Sequence, residues 1–128
     1  MRLLVDTHAF LWAVLEDQKL SGEARSQWLS PDSELLISPA SLWEIAIKVA
    51  LGKLKLRGTA REFFERELRS NSLTLLPIVP AHAARVATLP HHQGDPFDRM
   101  LVAQSLCEDL PVLSADVAFD AYGIARVW

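Results

Sequence analysis

The 128-residue chain is half apolar and 23% charged, an ordinary globular balance that argues against disorder. A single cysteine, Cys107, excludes an internal disulfide and a thiolate zinc cluster, and no apolar run approaches the ~18 residues that would span a bilayer. The formal net charge of −3 excludes a strongly basic nucleic-acid coat protein, but not an enzyme that works on nucleic acid locally. The opening residues lack the basic-then-apolar layout of a secretory signal. One domain spanning residues 1–128, in a reducing, cytoplasmic setting, is the expectation.

In chain order, Leu3-Leu4-Val5 reads as a short strand ending at Asp6-Thr7-His8. Ala9 to Leu15 is apolar on nearly all sides, a helix expected to be buried. Gly22 to Leu29 reads as a short helix capped by Ser21, and Leu35-Leu36-Ile37 as the second strand. Ser38 to Leu51 reads as a long helix, with Pro39 in its first turn and Gly52 just past its end. Leu54-Lys55-Leu56 alternates like an edge strand, and Thr59 to Asn71 is an amphipathic helix. Leu73 to Val79 reads as a third strand weakened by Pro77, and Pro80 to Leu89 as a short helix. A polar loop, Pro90 to Gly94, precedes a helix from Asp95 to Asp109. Pro111 to Ser114, Asp116 to Tyr122 and Ile124 to Trp128 complete a strand–helix–strand ending. Short apolar strands alternating with helices predict an open, doubly wound α/β domain with a parallel sheet of four to five strands. Ligands of such sheets sit beyond the carboxyl ends of the strands, near a switch in strand order.

Acids collect where that rule points. Asp6 follows the first strand, Asp116 follows the fourth, and Glu44 lies early in the helix after the second. Asp95 and Asp98 open the helix leading to the fourth strand, although that helix follows a loop. Each acid has a structural reading. Asp6, Asp95 and Asp116 are natural helix caps, and Ser41-Leu42-Trp43-Glu44 matches a capping box that would start its helix at Ser41. Capping needs only one acid per helix, whereas a metal site needs several at one place. Carboxylates about 4 Å apart repel by roughly 1–4 kcal/mol per pair, so a cluster calls for a cation. Hard oxygen donors select Mg²⁺ or Mn²⁺ over Zn²⁺, and such an ion suits phosphodiester or phosphoryl chemistry.

Four segments, in order, are Leu4-Val5-Asp6-Thr7-His8 with Phe10-Leu11-Trp12, Ser41 to Lys48, Asp95 to Gln104, and Leu113-Ser114-Ala115-Asp116. Together they strongly resemble the PIN-domain ribonucleases, in particular the VapC-like toxins of bacterial toxin–antitoxin pairs, over nearly the whole chain. The resemblance implies a small PIN-like domain whose acidic pocket holds Mg²⁺ or Mn²⁺ and cuts RNA. It matches the family's four acids to Asp6, Glu44, Asp98 and Asp116, and its two hydroxyls to Thr7 and Ser114. It also implies a homodimer and a protein antitoxin. Asp95 is an extra acid, a helix cap first and a candidate ligand second.

Lys48 lies four residues after Glu44, either as a surface ion pair or as a positive group that orients Glu44 or meets RNA phosphate; Arg99 divides the same way. Lys53, Lys55, Arg57 and Arg61 read as a solvated basic face or an RNA-backbone contact. His8, His91 and His92 lack zinc-ligand spacing, and His8 is a candidate for substrate contact. Trp12, Trp28 and Trp43 are expected in the core or at a dimer interface, and Cys107 is expected to be buried. A phospho-signalling receiver is disfavoured because Leu76 to Pro80 carries no acceptor acid, and a haloacid-dehalogenase-like phosphatase because His8 stands where a second Asp belongs. A non-catalytic binding module of the same fold is the remaining alternative.

Overall fold

The computed structural model describes residues 1–128, and alternate residues of its strands feed two separate cores. Leu3 and Val5 of β1 (Arg2–Val5) and Leu35 and Ile37 of β2 (Glu34–Ile37) join Leu113 on one face of the sheet. That face packs against α1 (Thr7–Leu15), Ile45 of α3 (Pro39–Ala50) and Phe63 of α4 (Ala60–Ser70). Leu4, Leu36 and Val112 face the other way, against Leu101 and Val102 of α6 (Pro96–Glu108). Helices on both faces of a parallel sheet bury such strands twice over, which is why they read as continuous apolar runs.

The sheet is parallel throughout, in the order β3-β2-β1-β4-β5, where β3 is Thr74–Leu75, β4 Val112–Leu113 and β5 Arg126–Val127. The chain builds outward from β1 through β2 to β3. It returns through α5 (Pro80–Val86) and α6 to place β4 on the opposite side of β1. The order therefore reverses between β1 and β4. Their shared register, Leu4 against Val112 and Val5 against Leu113, brings Asp6 and Ser114 to adjacent strand ends. The doubly wound parallel sheet expected from the sequence is the observed one. The remaining elements are α2 (Gly22–Leu29), capped by the Ser21 hydroxyl, and two 3₁₀ turns, Asp17–Lys19 and Val117–Tyr122.

Several local expectations need correction. Leu54-Lys55-Leu56 forms no strand: the amides of Lys53 and Leu54 turn back to the Lys48 carbonyl, at 2.9 and 3.3 Å. That turn passes through Gly52 at φ 72°, a conformation that favours glycine. Leu54 and Leu56 pack on the core as side chains only. The third strand shrinks to Thr74–Leu75, since Pro77 lacks the N–H that would extend the ladder. The helix expected to reach Leu89 stops at Val86, and its end tightens into three-residue turns through Ala87, Thr88 and Leu89. α3 starts at Pro39, with the Ser38 hydroxyl accepting from the Ala40 amide, so the alternative start at Ser41 does not occur. α1 is buried only over Thr7 and Ala9 to Leu11, and Leu15 at its end is exposed. Cys107 is exposed on α6, its Sγ 3.9 Å from the Ala81 carbonyl, and is not a core residue. Trp43 is 65% exposed and outside the core, whereas Trp12, Trp28 and Trp128 pack against it.

Candidate active site

Asp6 caps α1, and that double duty fixes its rotamer. Its Oδ1 accepts the Ala9 amide at 2.6 Å, and its Oδ2 accepts the Ser114 hydroxyl. Ser114 Oγ in turn accepts the Asp116 amide at 3.0 Å, so the ends of β1 and β4 are tied through one hydroxyl. Burial raises the Asp6 carboxyl above its ordinary range, against the lowering pull of the Ser114 and Ala9 hydrogen bonds. Asp116 caps the turn Val117–Tyr122, its Oδ1 accepting the Ala118 amide at 2.9 Å.

Glu44 stands in the second turn of α3 with only 8% of its surface exposed. Its Oε2 lies 3.3 Å from the Lys48 ammonium. Its Oε1 is fully buried and has no hydrogen-bond partner, an expensive state for a carboxylate oxygen. Thr7, expected among the site hydroxyls, is buried and donates to Ser41 Oγ at 3.0 Å. Its role is to lock the start of α1 to α3, one turn before Glu44. Ser41, weighed from the sequence only as a cap, is the other half of that lock.

Asp98 lies in the first turn of α6. Its carboxyl is pushed up to about 7, by burial first and then by the charges of Asp95, Glu44, Asp6 and Asp116. Acids from four separate stretches of chain therefore share one electrostatic space. Asp95 behaves as the cap, its Oδ1 accepting the amides of Phe97 and Asp98 at 2.8 and 3.1 Å, while its charge still bears on Asp98. No three carboxyl or imidazole groups stand as a closed ligand cluster. The donor set nevertheless fits a hard divalent cation: it is all oxygen, and Glu44 Oε1 lacks a partner.

Arg99 does not join the acids. Its buried guanidinium donates to the carbonyls of Pro90, Val86 and Leu89 at 2.9 to 3.5 Å, and to the Tyr122 hydroxyl at 3.4 Å. It holds the end of α5 and the following loop. Gln104 had no role from the sequence. It is fully buried, and its Nε2 donates to the Leu76 carbonyl at 3.2 Å, pinning the end of β3 to α6. An amide set among Leu101, Val102 and Ala103 was the available signal. His82 is a second buried polar residue, its Nδ1 accepting the Val79 amide at 3.2 Å to cap α5. Lys53, Lys55, Arg57 and Arg61 are all exposed, well separated in sequence from the acids.

The family described as the PIN domain matches residues 3–125. The chain belongs to the PIN domain family. PIN domains are typically nucleases, generally working with divalent metals. No curated protein matches this PIN domain by sequence. In structure it is similar to VapBC2 from Rickettsia felis bound to a DNA fragment from its promoter (TM-score 0.71, 12% identity, 98% of this chain and 97% of that one). It is also similar to FitAcB from Neisseria gonorrhoeae (TM-score 0.67, 18% identity, 98% and 96%). A toxin–antitoxin complex from Klebsiella pneumoniae matches with a TM-score of 0.59 and 15% identity over 90% and 87% of the two chains. At these identities the likeness is one of fold. No helix is long and apolar enough to cross a membrane.

Proposed function

We propose that this PIN domain, as one unit over residues 1–128, is a Mg²⁺- or Mn²⁺-dependent endoribonuclease and the toxin of a toxin–antitoxin pair acting in the cytoplasm. The observation that carries the reading is the convergence of acids from separate elements on Asp98, whose carboxyl is pushed up to about 7 by burial and by Asp95, Glu44, Asp6 and Asp116, together with the buried, unpartnered Glu44 Oε1. Asp6, Glu44, Asp98 and Asp116 would hold the ion, and a bound divalent ion would supply charge neutralisation at a backbone phosphate and acidification of water. The chain's own groups prepare that chemistry. The Ala9 amide and the Ser114 hydroxyl fix the direction in which Asp6 presents its remaining lone pairs. Lys48 occupies Glu44 Oε2, which leaves Oε1 as the donor. Thr7 and Ser41 set α3 against α1, and so set Glu44 against Asp6. Asp95 holds the first turn of α6 and adds negative charge to the rim.

RNA is the proposed substrate. A protein antitoxin is supported by the structural neighbours described as toxin–antitoxin assemblies. A homodimer is supported by an apolar groove of about 410 Å³ beside the acids, where exposed Trp43 stands edge-to-face with Phe97 (5.3 Å between ring centroids) next to Ile78. The deciding experiment is cleavage of a mixed RNA pool by the purified chain, with Mg²⁺ or Mn²⁺ and with EDTA, beside Asp98→Asn. Cutting that needs the ion and vanishes in the variant is the expected result. A folded, antitoxin-free chain that cuts nothing would favour the non-catalytic binding module instead.

A further inference from the structure

Asp6 and Asp116, at the ends of β1 and β4, share a second cleft with two aromatic side chains, His8 and Trp12. The cleft holds about 310 Å³ and is lined by Asp6, His8, Trp12, Ala115 and Asp116. His8 sits two residues after Asp6 in the first turn of α1 and is exposed. Its ring lies 5.9 Å from that of Trp12, tilted by 49°. Trp12 is packed in turn: Trp128 lies 5.7 Å from it, and the Lys19 ammonium 5.7 Å over its ring. The indole thus lines the cleft packed against Trp128, with the exposed His8 ring beside it.

We propose that this cleft is a nucleobase subsite, in which one base of a single-stranded RNA, adjoining the phosphate held at the acids, stacks on His8 with Trp12 as its backstop. The inference rests on the nuclease reading above and adds a residue-level binding role to it. Single-stranded RNA is recognised by bases splayed onto aromatic planes, histidine included. Such stacking tolerates any base, because every base has a π-face. A carboxylate wall alone repels RNA, and an aromatic wall two residues away supplies attraction that does not depend on charge. His8 is exposed, so the outer part of its ring is available to a ligand.

The test is a binding cycle in Mg²⁺. Asp98→Asn serves as the background because it is expected to stop cleavage of the probe, and the base-bearing and abasic octamers are compared on that same background, in a cleft that Asp98 does not line. Fluorescein-labelled RNA octamers of adenosine, cytidine and uridine are compared with an octamer lacking bases. On this background the base-bearing octamers are expected to bind more tightly than the abasic one. Adding His8→Ala is expected to weaken them about tenfold, the scale of one stacked base, while abasic binding is unchanged. An equal ratio of base-bearing to abasic affinity with and without His8 overturns the subsite. So does a His8→Ala variant that loses a co-expressed protein partner but not RNA, which assigns the cleft to protein. If neither octamer binds and the unsubstituted chain does not cut RNA, the nuclease reading falls and the subsite with it. If the unsubstituted chain cuts RNA and the ratio is unmoved, only the subsite falls. His8 is exposed, so the variant folds; circular dichroism checks it.

Discussion

Asp98 carries a charge that the folded chain resists. In the unfolded chain its carboxyl loses its proton near 3.9, and in the folded chain near 7. Between those values the native state binds more protons than the unfolded state, so metal-free stability falls as pH rises from about 4 to 7. The raised Asp6 carboxyl acts in the same direction. Thermal melts in EDTA across that range should show a steady decline in melting temperature; a flat or rising profile refutes the clustering of charge. Asp98→Asn removes the conflict. Screening at this half-buried carboxyl limits the gain, and a rise of about 4 °C at pH 7.5 without metal is expected, the shift that ~1 kcal/mol produces in a chain of this size. Ion binding must expel the same proton, so the melting-temperature rise given by a fixed Mg²⁺ concentration should be larger at pH 8 than at pH 6. Ser114→Ala tests the other side of the site. It deprives a buried carboxylate of a charge-assisted hydrogen bond worth roughly 1.5–3 kcal/mol, and urea denaturation should register that loss alongside weaker cleavage.

At the scale of elements, the site depends on where helices begin. Asp6, Asp95 and Asp116 each cap a helix or turn through backbone amides, so the acids are held by the chain that follows them. α4 offers a contrast: Thr59 and Glu62 form a reciprocal capping box on an exposed helix remote in sequence from every site acid. Thr59→Ala should cost about 1 kcal/mol of stability and leave cleavage unchanged per folded molecule, measured by urea melts and a cleavage assay. Helix starts were legible in the sequence because caps, prolines and glycines act locally. Ser21, Thr59 and the Asp95-Pro96 pair placed three starts within a residue. Strand lengths were less legible. A two-residue strand such as Thr74–Leu75 is defined by the neighbours it pairs with, and apolar runs extend past the ladder on both sides. Buried polar ties escaped for the same reason. Thr7 to Ser41 and Gln104 to Leu76 join residues 34 and 28 positions apart, and no local pattern announces a partner at that range.

For the whole molecule, apolar surface is distributed unevenly. Trp43 and Ile78 are exposed beside Phe97 on the flank next to the acids, a cluster of the kind that marks an interaction surface. If that face joins two copies, Trp43→Glu should give a monomer by sedimentation with only a small drop in the subunit's melting temperature, since the side chain belongs to neither core and loses only its contact with Phe97. An unsubstituted chain that sediments as a monomer at tens of micromolar refutes the dimer. The sequence anticipated this flank only in part: of Trp12, Trp28 and Trp43, expected in the core or at a dimer interface, Trp12 and Trp28 pack on the core and Trp43 stays on the surface. Periodicity identifies an apolar face but not which of two faces the rest of the fold will cover.

The seam between β1 and β4 has a consequence for how the molecule breathes. Only two residue pairs join the strands there, and just beyond them the Asp6 amide donates to the Leu113 carbonyl at 3.1 Å. Ser114 and Asp116 follow directly beyond this short stitch. A transient parting of the stitch would scatter the acids while leaving β1, β2 and their helices intact. Deuterium uptake at the Asp6 amide would then report site assembly directly, and occupancy of the acidic space by an ion should slow it more than uptake at the amides of β2.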